Sequence, residues 1–239
     1  MLSIIIPTLN EENNLLELLK SIEKQNFKDY EIIVADAGSK DKTLEVAKKY
    51  NCKITSGGLP AKGKNQGAKI AQGDLLFFLD ADVVLPKNVL GKILREFTKR
   101  KLKVAGFCLL PSSKSKLSKS IFTLFYNIPV LALEKILPHA AMGLLIEKNI
   151  FDELDGFDKT ITLAEDHDLT RRAQKLGKYG ILKSSKILVS DRRFRKDGWA
   201  KTYSKYLFCE GHMIFLGPVK SDIFEYKFGH YLKNKKNKL

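Results

Sequence analysis

Segments typical of strands alternate with segments of helical periodicity through the first half of the chain. Strands are predicted at residues 2–6, 31–34, 53–56 and 75–79. The segments between them predict helices over residues 11–25, 41–50 and 65–71. Strands that alternate with helices in this way are typical of a mostly parallel sheet with helices on both faces. The pattern therefore predicts an α/β fold with a Rossmann-like central sheet.

The second half of the chain carries longer and more varied segments. Pro86 is typical of the first residue of a helix, which we predict to end near residue 99. Further strands are predicted at residues 104–110 and 140–146 and near residues 180 and 187, with helices over residues 163–176 and 199–216. Residues 112–120 are rich in Ser and Lys and predict an exposed loop, and residues 121–137 form an amphipathic segment.

Two carboxylates follow the apolar run of residues 75–79. Five consecutive apolar residues are typical of a strand buried on both faces, and Asp80 and Asp82 come directly after it. In an extended chain, side chains two residues apart point the same way, so both carboxylates can face one point. Oxygen donors at the end of a parallel strand suit Mg²⁺ or Mn²⁺ carrying a substrate phosphate. The alternative is a polar turn, in which Asp is common.

Three further polar loops, at residues 7–11, 36–39 and 62–65, follow predicted strands at the edge where open α/β sheets bind ligands. Asn10 and Ser39 are predicted to cap helices. Asp36 has no such role, because it lies two residues before the turn glycine, and is a candidate for ligand binding. Lys62 and Lys64 are each expected to be solvated, although together such lysines suit a phosphate.

A second acidic cluster, residues 165–168, begins a predicted helix. Thr162 and Glu165 fit a capping box, which gives Glu165 a structural role. His167 and Asp168 are predicted to face away from the core, and His167 to lie on the surface.

Asp166 differs from its neighbours in this cluster. It lies three and seven positions before Leu169 and Ala173, on the helix face that is predicted to pack inward. A carboxylate in the first turn of a helix is kept ionised by the helix dipole, which suits a catalytic base.

Composition narrows the classes of partner. The chain of 239 residues has a net charge of +15, which indicates anionic partners such as nucleotide phosphates, nucleic acid or an acidic membrane surface. Cys52, Cys108 and Cys209 form no CxxC motif and are predicted to be reduced thiols of a cytoplasmic protein. We find neither a secretion signal nor an apolar run of about 20 residues in the sequence.

Four ordered blocks resemble family 2 glycosyltransferases, which have the GT-A fold and use nucleotide-activated sugars. The blocks are residues 3–11, residues 31–41, residues 64–68 continuing to Asp80-Ala81-Asp82, and Gly156-Phe157-Asp158 followed by Glu165-Asp166. Residues 190–194 and 198–199 are similar to a later basic segment of some members. The resemblance implies inverting transfer of a sugar from a nucleotide-diphosphate sugar to an acceptor hydroxyl.

The resemblance also implies roles for individual residues. Asp166 would be the catalytic base, and Asp80 and Asp82 would hold a divalent cation, Mg²⁺ or Mn²⁺. The residues expected to bind the nucleotide sugar are Pro7, Thr8, Leu9, Glu11, Asp36, Lys64, Asp80, Ala81, Asp82, Arg192 and Arg193. Two positions depart from the family pattern. Ala37 replaces the second acidic residue of the usual turn, and Lys64 replaces an arginine, whose planar two-point phosphate contact lysine cannot make.

On this basis residues 1–190 form the predicted catalytic domain. Within it, residues 1–110 form the nucleotide-sugar half, residues 139–190 the acceptor half and residues 111–138 an amphipathic insertion. Residues 191–239 form a basic amphipathic C-terminal extension.

The acceptor is predicted from two apolar stripes. One comprises Ile121, Phe125, Ile128 and Ala132, and the other begins at Tyr203, Tyr206 and Leu207. Apolar stripes beside lysines suit interfacial binding to anionic lipid, so a lipid-linked or membrane-proximal acceptor and peripheral binding at the inner face of the cell membrane are hypotheses. The sequence leaves equally open that both stripes only pack on the core.

Two other functions fit parts of the sequence. A sugar-phosphate nucleotidyltransferase would share the fold, but such enzymes usually have a glycine-rich basic loop after the first strand, which residues 7–11 lack. A non-enzymatic nucleic-acid-binding module would suit the charge, but we find no stacking motif, zinc-ligand spacing or recognition-helix pattern.

Overall fold

The computed structural model describes residues 1–113, 115–221 and 223, without the side chains of residues 193, 195, 199 and 200. These residues form a mixed eight-stranded sheet in the order β3-β2-β1-β4-β7-β6-β8-β5. Its strands are β1 (Leu2–Thr8), β2 (Tyr30–Asp36), β3 (Lys53–Ser56), β4 (Leu75–Leu79), β5 (Val83–Val84), β6 (Val104–Pro111), β7 (Gly143–Glu147) and β8 (Tyr179–Val189). The chain therefore has the α/β architecture that the sequence predicted.

Helices cover both faces of the sheet, and apolar clusters fill the two interfaces. The helices are α1 (Glu12–Glu23), α2 (Thr43–Lys49), α3 (Pro60–Ile70), α4 (Val89–Lys99), α5 (Lys116–Phe122), α6 (Ile128–Ala132), α7 (Lys148–Glu153), α8 (Glu165–Ala173), α9 (Arg192–Asp197) and α10 (Trp199–Phe215). A π-helical segment, Thr123–Asn127, joins α5 to α6.

The four strands of the N-terminal half are parallel, so their carboxyl ends lie at one edge of the sheet. Thr8, at the end of β1, pairs in register with Asp36, at the end of β2. In the other half β7 is antiparallel to both β4 and β6. The loops after β1, β2 and β4 thus converge on one side of the molecule, where a ligand site was predicted.

One close packing contact fixes α3 against this edge. A Cβ atom on Gly67 would clash with Cγ2 of Ile5 in β1, so only glycine allows α3 to pack this closely on the Ile5 side chain. Lys64 lies nearly one turn earlier on the same helix, and this packing holds its backbone beside the carboxyl ends of the strands.

Several local predictions were wrong. Pro86 precedes α4 without beginning it, since that helix starts at Val89. The predicted loop of residues 112–120 ends in the first turns of α5, and the two short strands near residues 180 and 187 are the single strand β8. The last residues of the predicted C-terminal extension, from 224 onward, lie outside the described residues.

Asn10 and Ser39 do not cap the helices that follow them. Asn10 adopts a left-handed backbone with φ of 54°, and its side chain accepts a hydrogen bond from the Lys40 N–H. The first N–H groups of α1 donate instead across to the next loop: Glu11 to Thr43 Oγ1 and Glu12 to Asp41 Oδ2. The two loops are therefore joined by mutual capping.

Candidate active site

Lys64 lies at the centre of the candidate site, among carboxylates from distant parts of the chain. Its Nζ is 2.9 Å from Oε1 of Glu165 and 2.6 Å from Oδ1 of Asp166. Lys64 is only 2% exposed, so its prediction as a solvated residue was wrong, whereas Lys62 is exposed. A buried ammonium group paired with two carboxylates joins the first half of the chain to the second.

The start of α8 directs Glu165 and Asp166 toward this lysine. Ala164 takes a left-handed conformation, with φ of 62°, directly before the helix. The predicted capping box does not form, because Thr162 donates its hydroxyl proton to the Val219 carbonyl oxygen at 3.2 Å. Glu165 therefore has no capping role and contacts Lys64 instead.

Asp166 lies on the inward face of α8, as predicted. Leu169 and Ala173, which share that face, are fully buried. Burial raises the pKa of Asp166 to about 6, with Lys64 acting in the lowering direction. The negative charge of Asp80, in the loop after β4, also raises this pKa.

Asp80 and Asp82 follow β4, but the backbone between them turns and is not extended. The Val83 N–H donates to the Asp80 carbonyl oxygen at 3.4 Å. Burial raises the pKa of Asp80 to about 6, with Lys64 lowering it and Asp82 raising it. Burial also raises the pKa of Asp82. The three aspartates thus share one electrostatic cluster, although the prediction placed the first two on an extended segment.

Arg192 reaches the same cluster from the start of α9. Its Nη2 is 3.3 Å from Oδ2 of Asp82 and 3.5 Å from Oε2 of Glu11. The structure therefore brings together Arg192, Glu11 and Asp82, three of the residues predicted to bind the nucleotide sugar. The side chain of Arg193, also predicted for this site, lies outside the described residues.

Asp36 caps no helix, as expected, but its side chain organises the turn that follows it. Its Oδ1 accepts hydrogen bonds from the Gly38 and Ser39 N–H groups, and its Oδ2 accepts from the hydroxyls of Thr8 and Ser39. A carboxylate has about four acceptor positions. A contact between Asp36 and a nucleotide base would therefore replace one of these bonds.

The remaining predicted contacts occupy the loops at this edge. Pro7 lies near the end of β1 and packs against α3. A Cβ atom placed on Gly63 of α3 would be 3.4 Å from the Cβ of Pro7. Leu9 is 40% exposed, and Ala81 is buried between the two aspartates. Leu9 is thus available for contact with a ligand, whereas Ala81 serves packing.

Sequence reasoning missed a polar cluster beside α8. His167, predicted to lie on the surface, is largely buried and lies against His139 and Glu210. These residues are far apart in the chain and follow no ligand-spacing motif, so only the fold reveals the cluster. The same holds for Glu165, whose side chain fitted a simpler capping role.

Apolar side chains remain exposed on the segments that flank the site. We call them the apolar surface: Leu117, Leu124, Phe125, Ile128 and Ile136 from residues 116–137, and Leu207, Phe208, Ile214, Phe215 and Leu216 from α10 and the residue after it. The rings of Phe125 and Tyr203 join the two segments, with centroids 5.8 Å apart. The opposite face of the first segment packs inward through Phe122 and Val130.

Among the helices of the described residues, none is both long and apolar enough to span a bilayer.

Comparison with known proteins identifies related sequences. The family described as Glycosyl transferase family 2 matches residues 3–145. A poly(ribitol-phosphate) beta-N-acetylglucosaminyltransferase, TarS of Staphylococcus aureus, is 37% identical over 98 residues, which are 37% of this chain and 17% of TarS. A GalNAc(5)-diNAcBac-PP-undecaprenol beta-1,3-glucosyltransferase of Campylobacter jejuni is 35% identical over 127 residues, 49% of this chain and 41% of that protein. The chain therefore spans less than half the length of either relative.

Solved structures share the fold at lower identity. A TarS fragment in complex with UDP-GlcNAc aligns with a TM-score of 0.65 at 23% identity, over 79% of this chain and 58% of the fragment. A mannosyltransferase of Pyrobaculum calidifontis, in complex with GDP-Man and Mn²⁺, aligns with a TM-score of 0.63 at 20% identity, over 76% of this chain and 54% of that one. At these identities the likeness concerns the fold.

Proposed function

Because the chain belongs to glycosyl transferase family 2, we propose that it transfers a sugar from a nucleoside-diphosphate sugar to an acceptor hydroxyl, with inversion at the anomeric carbon. The observation that carries the proposal is the meeting of three aspartates: Asp166 and Asp80 act on Lys64, and Asp82 acts on Asp80 and pairs with Arg192. The sugar nucleotides in the two related structures, UDP-GlcNAc and GDP-Man, support the donor class.

Asp80 and Asp82 would hold a divalent cation in this reaction. Both carboxylates are buried enough to raise their pKa, and the charge of Asp82 raises the pKa of Asp80 further. The two ionised carboxylates repel each other, and a cation between them would relieve that repulsion. Their oxygen atoms are the ligands that Mg²⁺ and Mn²⁺ prefer. Bound there, the ion supplies Lewis-acid stabilisation of the departing diphosphate. The Mn²⁺ in the Pyrobaculum complex is consistent with this assignment.

Asp166 would accept the proton of the attacking hydroxyl. With a pKa of about 6 it is mostly ionised at neutral pH and still basic enough to take a proton. The first turn of α8 favours its negative charge through the helix dipole, and Lys64 fixes the position of Oδ1. The second oxygen of the carboxylate is the one we assign to the acceptor.

Positive charge for the diphosphate comes from Arg192 in this proposal. Lys64, which the sequence suggested for phosphate, is already paired with Glu165 and Asp166. Arg192 approaches Asp82 from the opposite loop, and its guanidinium can make the planar contact with phosphate that a lysine cannot. We therefore give Lys64 a positioning role and Arg192 the role of stabilising the leaving group.

The acceptor is proposed to be lipid-linked and reached at a membrane surface. The apolar surface is flanked by the exposed lysines Lys116, Lys119 and Lys201, and the chain carries a net charge of +15. Apolar side chains together with lysines favour binding to anionic lipid interfaces. The undecaprenol in the name of the Campylobacter relative is consistent with such an acceptor.

Nucleotide release tests the reaction class. The chain is incubated with a panel of UDP- and GDP-sugars and either Mn²⁺ or Mg²⁺, with lipid phosphates as acceptors. We expect release of nucleoside diphosphate from one donor, dependent on the ion and stopped by a chelator. A parallel incubation contains a sugar phosphate and a nucleoside triphosphate. Release of pyrophosphate there would indicate a nucleotidyltransferase and contradict the proposal.

Sedimentation with vesicles tests the membrane part separately. We expect the protein to sediment with anionic vesicles at low salt, and the double variant Phe208→Ser, Phe215→Ser to sediment several-fold less, because both rings are mostly exposed. Ile54→Ser, on the edge strand β3, is the matched control and should sediment like the wild type. A wild-type protein that stays in the supernatant would overturn the membrane assignment and leave the sugar transfer untouched.

A further inference from the structure

Three side chains from separate segments meet beside α8. His139 precedes β7, His167 lies in the first turn of α8, and Glu210 lies on α10. Oε1 of Glu210 is 3.3 Å from Nδ1 of His139 and contacts Nδ1 of His167. The ligand atoms of the three residues lie within 4.8 Å of one another, and the two imidazole rings have centroids 3.9 Å apart.

We propose that His139, His167 and Glu210 form a transition-metal site, with Zn²⁺ as the expected occupant, distinct from the cation site at Asp80 and Asp82. Two imidazole nitrogens and one carboxylate oxygen are a ligand set that zinc uses, with the fourth position left for water. The Asp80–Asp82 pair offers oxygen alone, which suits Mg²⁺ or Mn²⁺. The two sites would therefore select different ions.

The cluster is largely buried, and some of its polar atoms have no hydrogen-bond partner. The side chains of His139, His167 and Glu210 are 14%, 12% and 21% exposed. Among the described residues, two of the proposed ligand atoms, Nδ1 of His167 and Oε1 of Glu210, are buried with no hydrogen-bond partner, as is the nearby Tyr126 hydroxyl. The Tyr126 ring meets the His139 ring edge-on, with centroids 5.3 Å apart. Polar groups left unsatisfied in one place indicate that another polar species belongs there.

The contacts with Glu210 show which ring nitrogens would bind the ion. Nδ1 of each imidazole is the nitrogen that faces Oε1 of Glu210. Binding through both Nδ1 atoms would place the remaining proton of each ring on Nε2.

Arg171 binds one of the two carboxylate oxygens of Glu210. Its Nη2 donates to Oε2 at 3.0 Å, so Oε1 alone faces the two imidazoles. An ion on Oε1 would tie α10 to the residue directly after Asp166. The site would thus hold the first turn of α8, with the proposed base, against the C-terminal helix.

A titration with Co²⁺ tests the site without any sugar nucleotide, so its outcome is independent of the proposed transfer. We expect the full chain to bind one equivalent with the intense visible absorption of a four-coordinate ion, displaced by one equivalent of Zn²⁺. The variants His139→Ala and Glu210→Gln should each bind at least about 100-fold more weakly, since each removes a metal ligand.

Two control variants show whether the bound ion lies in this cluster. His212→Ala, on the same helix as Glu210, and Asp82→Asn should keep the Co²⁺ spectrum unchanged. Thermal unfolding without metal shows whether His139→Ala and Glu210→Gln are folded, and Glu210→Gln preserves the shape of the side chain. Absence of the four-coordinate spectrum in the wild type, or its persistence in Glu210→Gln, would overturn the proposal, as would its loss in Asp82→Asn.

Discussion

Replacing Asp166 with Asn should lower sugar transfer by about 10³-fold while binding of the nucleotide sugar stays within about twofold of the wild type. The amide cannot accept a proton from the acceptor hydroxyl, but its oxygen can still accept the hydrogen bond from Lys64 that the carboxylate now accepts at 2.6 Å. Transfer would be measured as nucleoside diphosphate release, and binding by calorimetry with the same donor.

Asp168→Asn is the matched control, one turn or less away on the same helix. Its carboxylate pairs with Nε of Arg172 at 2.8 Å and has no contact with Lys64 among the described residues. This variant should lose some stability and retain most of the transfer rate. If Asp166→Asn lost donor binding along with transfer, Asp166 would be part of the nucleotide site and the assignment as base would be wrong.

The N-terminal half of the fold was predictable because its signals are local. Apolar runs such as residues 75–79 fix strands that are buried on both faces, and the helices between them force a parallel arrangement. The family resemblance then predicted Asp80, Asp82 and Asp166 in one site. The effect of the Asp80 charge on the pKa of Asp166 agrees with that placement.

Several of the mispredicted contacts depend on distant partners. Lys64 was predicted to be solvated, as a single lysine of a basic chain usually is, and only the fold brings Glu165 and Asp166 to its Nζ. Capping rules failed at Asn10 and Thr162 for the same reason, since their side chains bond to residues 30 and 57 positions away. Sequence patterns describe a residue by its neighbours in the same segment, so they cannot predict a contact with a residue of another loop.

The second half of the sheet was harder for a topological reason. β7 enters between β4 and β6 and runs antiparallel to both, which the periodicity of a short apolar strand cannot reveal. A single long β8, with an irregular register between Phe107 and Cys108 of β6, was divided into two strands because its middle residues are polar and exposed.

Replacing Asp82 with Asn should remove the metal dependence of donor binding and lower transfer by about 10³-fold, since the ion supplies several kcal/mol of charge stabilisation. In the wild type we expect Mn²⁺ or Mg²⁺ to raise the affinity for the nucleotide sugar, and in Asp82→Asn the metal should have almost no effect. Calorimetric titration of the donor with and without metal measures both, and Asp152→Asn, an exposed carboxylate paired with Lys148, is the control.

The contact between Arg192 and Asp82 provides a second test of metal binding at Asp82. Its guanidinium contacts Oδ2 of Asp82, so a cation bound by Asp82 would weaken that pair and make Arg192 available to the diphosphate. Asp82→Asn should weaken this pair even when no ion is bound. The single variant should therefore still bind the donor in the absence of metal. The double variant Asp82→Asn, Arg192→Met should lose this metal-independent binding. If the single variant still responded to metal as the wild type does, Asp82 would not hold the ion, and the cation would have to be assigned to other carboxylates of the cluster, such as Asp80 and Glu11.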